Sequence, residues 1–363
     1  MPRTCAVTSL VFGCCETLSM SHPDPPRAAI LGLEGLVITA DERKLFADTN
    51  PLGFILFSRN IATPQQVQSL VADLRLAVGR TDPLILVDQE GGRVQRLGPP
   101  HWRHAPPMRV FGNLYVSNPD TAVDAIRLNM RLIGAELAKL GVTVDCAPVL
   151  DVPVLGAHDV IGDRASSEDP KVVAALGSAA CSGLLDAGII PVIKHIPGHG
   201  RAKADSHAEL PVVNASIEEL RNSDFVPFLT NLPHCYAMTA HVLYSAIDPD
   251  SPATVSKKVI GEVIRGEMGF GGLLMSDDLG MSALKGSLRE RAEMALSAGC
   301  DVVMHCEGTF ANMVEVMSAV PHVGSRCLAA VRKSAEYIDR KLEVGGQISE
   351  LAWLDDVLAE FVP

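Results

Sequence analysis

Short runs of apolar residues recur along the chain and alternate with amphipathic segments. The runs are rich in β-branched residues, and their length is that of strands rather than of helices. Continuous apolar strands of this kind are typical of a parallel sheet that is covered by helices on both faces. We predict eight strands, within residues 28–35, 52–58, 84–92, 141–151, 189–200, 236–242, 271–280 and 300–305.

Helical periodicity fills several of the gaps between these strands. Residues 63–79 place apolar side chains at helical spacing after a Thr-Pro pair, which favours a helix start. Residues 120–141 and 287–299 show the same periodicity, and each ends at a glycine. Eight β-α units predict an α/β fold with a single (β/α)8 TIM-type barrel over residues 28–363. An open doubly wound sheet is the alternative, but no G-x-G-x-x-G motif follows the first strand.

Composition narrows the class of protein. The 363 residues are 47% hydrophobic and carry a net charge of −12, which argues against a nucleic-acid partner. No apolar run has the length of a membrane span. The 9 cysteines are irregularly spaced without a C-x-x-C pair, so we expect reduced thiols and a cytoplasmic protein. We also expect a monomer. Residues 1–27 have no clear signal-peptide cleavage site, and we predict a disordered extension there.

Charged side chains cluster where the predicted strands end. Active sites of (β/α)8 barrels lie at the carboxyl ends of the strands, and charges there are costly unless they are paired or used. Five strands ending in this way predict one polar site. The residues concerned are Asp88, Glu90, Arg93, Arg96, Asp151, His158, Asp163, Arg164, Lys194, His195, His241, Asp277 and Asp278.

The densest such stretch is residues 194–207, "KHIPGHGRAKADSH". A metal site on His195 and His199 is one interpretation, but the intervening Pro and Gly exclude the helix that such spacing requires. We therefore expect neither a metal nor an organic cofactor. Acid–base chemistry is the other interpretation, because Asp205 and His207 share one face of an extended loop. The carboxylate would orient the imidazole, which can give and then take a proton.

Glycoside hydrolysis would use such a histidine together with a carboxylate nucleophile. Asp277 lies at a strand end, where a rigid backbone can hold the attacking oxygen close to its target. Asp278 adjoins it, but strand alternation points the two side chains in opposite directions. We expect Asp278 to cap the following helix instead.

Four motifs occur together: "DQEGGRVQRL", "IGDR", "KHIPGHG" followed by "DSH", and "GGLLMSDDLGM". In this combination the chain, from about residue 28 onward, resembles the β-N-acetylhexosaminidase branch of glycoside hydrolase family 3. The resemblance implies a barrel without a second domain. It also implies retaining removal of N-acetylglucosamine from peptidoglycan fragments, namely GlcNAc-1,6-anhydro-MurNAc with or without peptide, in cytoplasmic cell-wall recycling.

Residue roles follow from the same resemblance. It implies that Asp277 forms the glycosyl-enzyme intermediate, that His207 is the general acid/base and that Asp205 is its dyad partner. It further implies a set of side chains that hold the sugar, which are Asp88, Arg96, Arg164, Lys194 and His195.

Other residues near these motifs carry weaker expectations. We expect His199 and His241 to be structural, and Glu90 to hold the loop after the third strand with Arg93 as its partner. Pro197, Gly198 and Gly200 would make the loop that carries His207 flexible. Family members commonly have an aromatic residue where this chain has Ile196 and Ser166, a change that would reshape a pocket wall.

Two alternatives remain open at this stage. A histidine acid/base repels phosphate less than a glutamate would, so a β-N-acetylglucosaminide phosphorylase is the enzymatic alternative. An inactive sugar-binding barrel is the non-enzymatic one. A comparison of the products formed with and without phosphate separates hydrolysis from phosphorolysis.

Overall fold

The computed structural model describes residues 24–231, 236–338 and 347–361. Eight parallel strands close into a barrel in which each strand pairs with its neighbours in chain order and β1 pairs with β8. The predicted (β/α)8 fold is therefore confirmed. The strands are β1 Arg27–Leu31, β2 Pro51–Leu56, β3 Leu84–Val87, β4 Val144–Asp145, β5 Ile190–Ile196, β6 Tyr236–Thr239, β7 Leu274–Asp278 and β8 Val302–His305.

Helices connect the strands and cover the outside of the barrel. A π-helix, Lys258–Glu267, takes this place between β6 and β7. The α-helices are α1 Ala40–Thr49, α2 Pro64–Val78, α3 Met108–Ser117, α4 Pro119–Lys139, α5 Pro170–Asp186, α6 Ile217–Asn222, α7 Val226–Thr230, α8 Leu288–Ala298, α9 Phe310–Ala319, α10 Ser325–Ile338 and α11 Gln347–Leu358.

Local signals set the helix ends that the sequence predicted. Thr63 caps α2 by accepting a hydrogen bond from the Gln66 backbone N–H, and Gly79 ends the helix at φ 63°. Ser287 begins α8 with a reciprocal capping box, and Gly299 ends it at φ 121°. Only glycine takes such positive φ values readily, which explains why both helices stop there.

Alternation along the strands divides the apolar side chains into two clusters. One cluster fills the barrel with about two side chains per strand, for example Ile190 and Val192 of β5. The other lies between strands and helices and includes Ile193 of β5. Cys327 of α10 belongs to the inner cluster, so α10 covers the amino-terminal end of the barrel. The opposite end is left for polar side chains.

The predicted extension over residues 1–27 falls largely outside the described residues. Its last residue, Arg27, already belongs to β1, one position before the expected start of the fold. The Asp24 carbonyl accepts a hydrogen bond from the Asn50 side chain, and the Pro26 carbonyl accepts one from the Val323 backbone.

Candidate active site

A pocket of about 440 Å³ opens at the carboxyl end of the barrel. It brings together seven of the eight site residues predicted from the sequence. The eighth, Asp205, does not line the pocket but lies 2.7 Å from His207 Nδ1 through its Oδ1 atom. The seven are Asp88, Arg96, Arg164, Lys194, His195, His207 and Asp277.

Strand alternation aims three of these side chains into the barrel mouth. Leu84 and Leu86 of β3 belong to the inner cluster, so Asp88 follows on the same face. The same period of two places Lys194 above Ile190 and Val192 in β5. Asp277 in turn follows Met275 of β7, and Leu273 just before the strand, on the inner face. The polar site is thus the last layer of the barrel interior.

Five of the side chains form an ion-pair chain in the order Arg96, Asp88, Lys194, Glu90 and Arg164. Lys194 Nζ lies 3.0 Å from Asp88 Oδ1 and 2.6 Å from Glu90 Oε1. Arg164 holds Glu90 through both carboxylate oxygens, each at 2.9 Å, and Arg96 Nη2 lies 3.0 Å from Asp88 Oδ2. Each charge is held between opposite charges or at an end of the chain, which keeps the buried groups in fixed positions.

Electrostatics keep this ion-pair chain ionised. Burial raises the pKa of Asp88, but Lys194 and Arg96 outweigh it, so the pKa lies well below the ordinary value. Burial likewise opposes ionisation of Glu90, yet Arg164 and Lys194 lower its pKa. Burial also acts against the charge of Lys194, whose pKa is nonetheless raised by Asp88 and Glu90. The pocket wall is therefore charged across the neutral pH range.

Glu90 has a larger role than the sequence suggested. It joins Lys194 to Arg164 in the ion-pair chain and lines the pocket, rather than only holding its own loop. Its expected partner was wrong, because Arg93 pairs with Asp163 at 3.0 Å instead. Arg164, 74 residues further along the chain, takes that place.

His195 is fixed by a buried carboxylate that the sequence placed at the end of the fourth strand. Asp151 Oδ2 lies 2.7 Å from His195 Nδ1, and Asp151 Oδ1 accepts hydrogen bonds from the backbone N–H groups of His195 and His199. Burial opposes the charge of Asp151, but His195 and the hydrogen bonds lower its pKa to about 2. Asp151 thus fixes the loop after β5 where it leaves the strand.

Asp205 and His207 form the dyad predicted from their spacing. Asp205 Oδ1 lies 2.7 Å from His207 Nδ1 and accepts a hydrogen bond from the His207 backbone N–H at 2.9 Å. Burial acts to raise the pKa of Asp205, but these bonds from His207 lower it overall. His207 is 68% exposed and lines the pocket.

The loop that carries the dyad is packed tightly at its start. A Cβ atom at Gly200 would lie 2.1 Å from the Val152 carbonyl oxygen, so Gly200 permits close backbone contact. Gly198, at φ 136°, is the loop glycine whose backbone conformation requires glycine. The Tyr244 hydroxyl donates to its carbonyl at 2.7 Å.

Asp277 and Asp278 end β7 in different surroundings. Asp278 Oδ1 accepts hydrogen bonds from the backbone N–H groups of Cys306 and Gly280. It caps no helix, because α8 begins ten positions later with Ser287 as its cap. That expectation was wrong, and Asp278 instead joins the loop after β8 to the end of β7. Burial acts to raise its pKa, but His305 and the backbone donors lower it.

Three further residues named from the sequence lie away from the pocket lining. His241 is fully buried, with Nδ1 2.6 Å from Thr254 Oγ1 and Nε2 2.9 Å from the Asp278 carbonyl oxygen, as a structural histidine should be. Neither Ile196 nor Ser166 lines the pocket. Ile196 belongs to the outer core, and Ser166 packs against Gly112 of α3.

The described cysteines are free thiols, and Cys306 is the one among them that lines the pocket. No three His, Cys, Asp or Glu side chains within the described residues are placed to hold a metal ion. No helix in the described part of the chain is long and apolar enough to cross a membrane.

Comparison with known proteins points to one family. The family described as "Glycosyl hydrolase family 3 N terminal domain" matches residues 27–340. A β-hexosaminidase of Alkalilimnicola ehrlichii is 44% identical over 284 residues, covering 76% of this chain and 80% of the relative. A β-hexosaminidase of Aromatoleum aromaticum is 40% identical over 286 residues, covering 78% and 80%.

A solved structure extends the likeness to three dimensions. Native NagZ from Neisseria gonorrhoeae superimposes with a TM-score of 0.80 at 30% identity, covering 93% of this chain and 97% of that protein. The same Neisseria protein has a structure in complex with zinc ion, with a TM-score of 0.79.

Proposed function

The chain belongs to glycosyl hydrolase family 3, and from this we propose that it is a retaining exo-β-N-acetylglucosaminidase that acts on peptidoglycan fragments. Its substrates would be GlcNAc-1,6-anhydro-MurNAc with or without peptide, in cytoplasmic cell-wall recycling. The names of its relatives, β-hexosaminidase and NagZ, support the sugar that is removed. The pocket, with a volume near the lower end of the usual range for ligand sites, suits one terminal sugar.

The observation that carries the proposal is the pairing of His207 with Asp205 in the same pocket as Asp277. A carboxylate 2.7 Å from His207 Nδ1 sets the ring orientation and stabilises the imidazolium. The second ring nitrogen then faces the ligand as a proton donor. A carboxylate on a rigid strand and a proton donor on a loop are the two groups that retaining glycoside hydrolysis requires.

The reaction would run in two steps. Asp277 attacks the anomeric carbon while His207 Nε2 gives its proton to the leaving oxygen, so a glycosyl–Asp277 ester forms and the aglycone departs. The neutral His207 then takes a proton from water, whose oxygen attacks the same carbon and releases Asp277. Asp205 holds the Nδ1 proton throughout.

The ion-pair chain would hold the sugar without chemistry of its own. Its charged groups offer hydrogen-bond donors and acceptors that are already fixed by one another. Neutral hydroxyl groups can therefore be bound with little reordering of side chains. We place Asp88, Arg96, Arg164 and Lys194 in this role, with His195 beside them on its Asp151 support.

Substrate preference and anomeric configuration test the proposal together. Purified protein should hydrolyse a nitrophenyl β-N-acetylglucosaminide and leave the matching β-glucoside almost untouched. NMR of the first product should show the β-anomer before mutarotation. An α-anomer would exclude a retaining mechanism, and equal rates on both glycosides would exclude the proposed specificity. A sugar 1-phosphate formed only in phosphate buffer would instead identify a phosphorylase.

A further inference from the structure

Ser206 lies between the two dyad residues and is buried where they are not. It is 3% exposed, whereas the side chains of Asp205 and His207 are 33% and 68% exposed. The motif "DSH" predicts roles for Asp205 and His207 but none for Ser206. Burial of the middle residue indicates that it attaches the segment to the barrel.

Two hydrogen bonds make this attachment. Ser206 Oγ lies 3.2 Å from His199 Nε2, and the Ser206 carbonyl accepts a hydrogen bond from the Ala283 backbone N–H at 3.2 Å. By contrast, the hydrogen bonds described for Asp205 and His207 stay within residues 205–209. The dyad is thus built within one loop segment, and Ser206 ties that segment to its surroundings.

His199 is held in a fixed position by its own contacts. Its backbone N–H donates to Asp151 Oδ1 at 2.6 Å, and its ring is 3% exposed and packs against that of His195. Burial, together with His195, lowers the pKa of His199 to about 4, so the ring is neutral at pH 7. Among the described residues, His199 Nδ1 has no hydrogen-bond partner. The hydrogen bond described for the ring is therefore the one between Nε2 and Ser206 Oγ.

We propose that His199 and Ser206 form a latch that positions the Asp205–His207 dyad for proton transfer. This inference rests on the proposed function, since it concerns the acid/base of that reaction. Proton transfer requires His207 within hydrogen-bond reach of the leaving oxygen. A displacement of about 1 Å can cost ~100-fold in rate. Ser206 and His199 are positioning residues because they act on the substrate only through His207.

Leaving-group dependence separates this role from a general structural one. We expect S206A to lower kcat/KM for the GlcNAc disaccharide by about 10- to 100-fold. For a dinitrophenyl glycoside, whose leaving group needs no proton, kcat/KM should fall less than about threefold. S206T keeps the hydroxyl and should recover most of the loss. Thermal unfolding of each variant checks that it is folded.

The H207A background provides the second measurement. If Ser206 acts through His207, then S206A should add almost no further loss on the disaccharide once His207 is absent. Equal losses of S206A on both substrates, or a full loss that persists in H207A, would overturn the latch while leaving the proposed function intact. If H207A itself shows no leaving-group dependence, the proposed acid/base is wrong and the latch falls with it.

Discussion

The Asp277 carboxylate is held by the backbone of Asp278, whose N–H donates to Asp277 Oδ1 at 2.8 Å. The two residues are consecutive at the end of β7, yet their side chains have different surroundings. Asp277 stands on the inner face of the barrel, while Asp278 bonds to the backbone of the loop after β8.

This difference predicts opposite outcomes for two alanine substitutions. Asp277→Ala should abolish turnover with little change in unfolding free energy, because the carboxylate is the proposed nucleophile. Asp278→Ala should leave two backbone donors without an acceptor and cost about 1–3 kcal/mol of stability. Assays of both variants beside denaturant unfolding measure the two effects. If only the Asp278 variant lost turnover, Asp278 rather than Asp277 would be the nucleophile.

Removal of the acid/base should change the rate-limiting step. His207→Ala should lose far more activity on the disaccharide than on a dinitrophenyl glycoside in the first step, because only the former needs a proton. The second step should also slow, since water lacks its base, and a burst of dinitrophenol should appear. Azide, which needs no base, should restore that step and give a glycosyl azide. Asp205→Ala should show the same pattern more mildly.

The absence of a burst and of azide rescue would show that His207 only binds sugar. Asp205→Asn serves as a control of similar size, because it keeps the shape of the side chain and removes its charge. It should lie between the wild type and His207→Ala in leaving-group dependence.

Asp224 should make stability depend on pH below neutrality. Its side chain is fully buried and lies 2.6 Å from Arg201 Nε on the loop that carries the dyad. Burial raises its pKa to about 6, although Arg201 acts in the opposite direction. Asp151 adds repulsion from the other side. The folded protein therefore binds this proton more tightly than the unfolded chain does.

The sign follows from linkage. Between the unfolded pKa, near 4, and the folded value, only the folded state holds the proton, so this group's contribution to stability falls as pH rises through that window. The total change is at most about 3 kcal/mol. Asp224→Asn removes it, so the variant should gain on the wild type as pH rises from about 4 to about 6, and the difference should level off above that. A difference in unfolding free energy that does not change with pH would contradict the assignment.

Metal removal should leave activity unchanged. No described set of three or more ligands is placed for a metal ion, and no step of the proposed reaction uses one. Prolonged dialysis against EDTA, followed by assay with and without added zinc, tests this directly. Activity lost to EDTA and restored by zinc would overturn the proposed mechanism, and the Neisseria zinc complex makes that metal the appropriate one to add.

Local patterns predicted the frame of the molecule well. Runs of apolar residues located all eight strands, and Thr63 and Gly79 bound α2 as expected. The comparisons also confirm the enzyme class, a glycoside hydrolase of the β-N-acetylhexosaminidase type. For the strands and the helix ends, the sequence signal lies within a few residues of the feature that it predicts. The Asp205–His207 contact has the same local character, because the two residues are separated by one position.

Local sequence patterns could not predict contacts between residues that are far apart in the sequence. Sequence spacing gave no reason to pair Glu90 with Arg164 rather than with Arg93, since all three are charged residues that follow the predicted strands. Ser206 carries no charge and no unusual spacing, so only its burial against His199 distinguishes it. The expected helix cap at Asp278 was wrong because its hydrogen-bond donors are the backbone N–H groups of Cys306, after β8, and Gly280, after β7, and neither belongs to a helix.

Closure of the barrel also bears on how the chain is made. β1 pairs with β2 on one side and with β8 on the other, where Ala29 lies opposite Val303. During synthesis, one edge of β1 has unpaired backbone groups until β8, the last strand of the barrel, has left the ribosome. Such an edge is open to wrong partners, including the same strand of a neighbouring nascent chain. Crowded polysomes, rather than the finished enzyme, are where this fold is most exposed to aggregation.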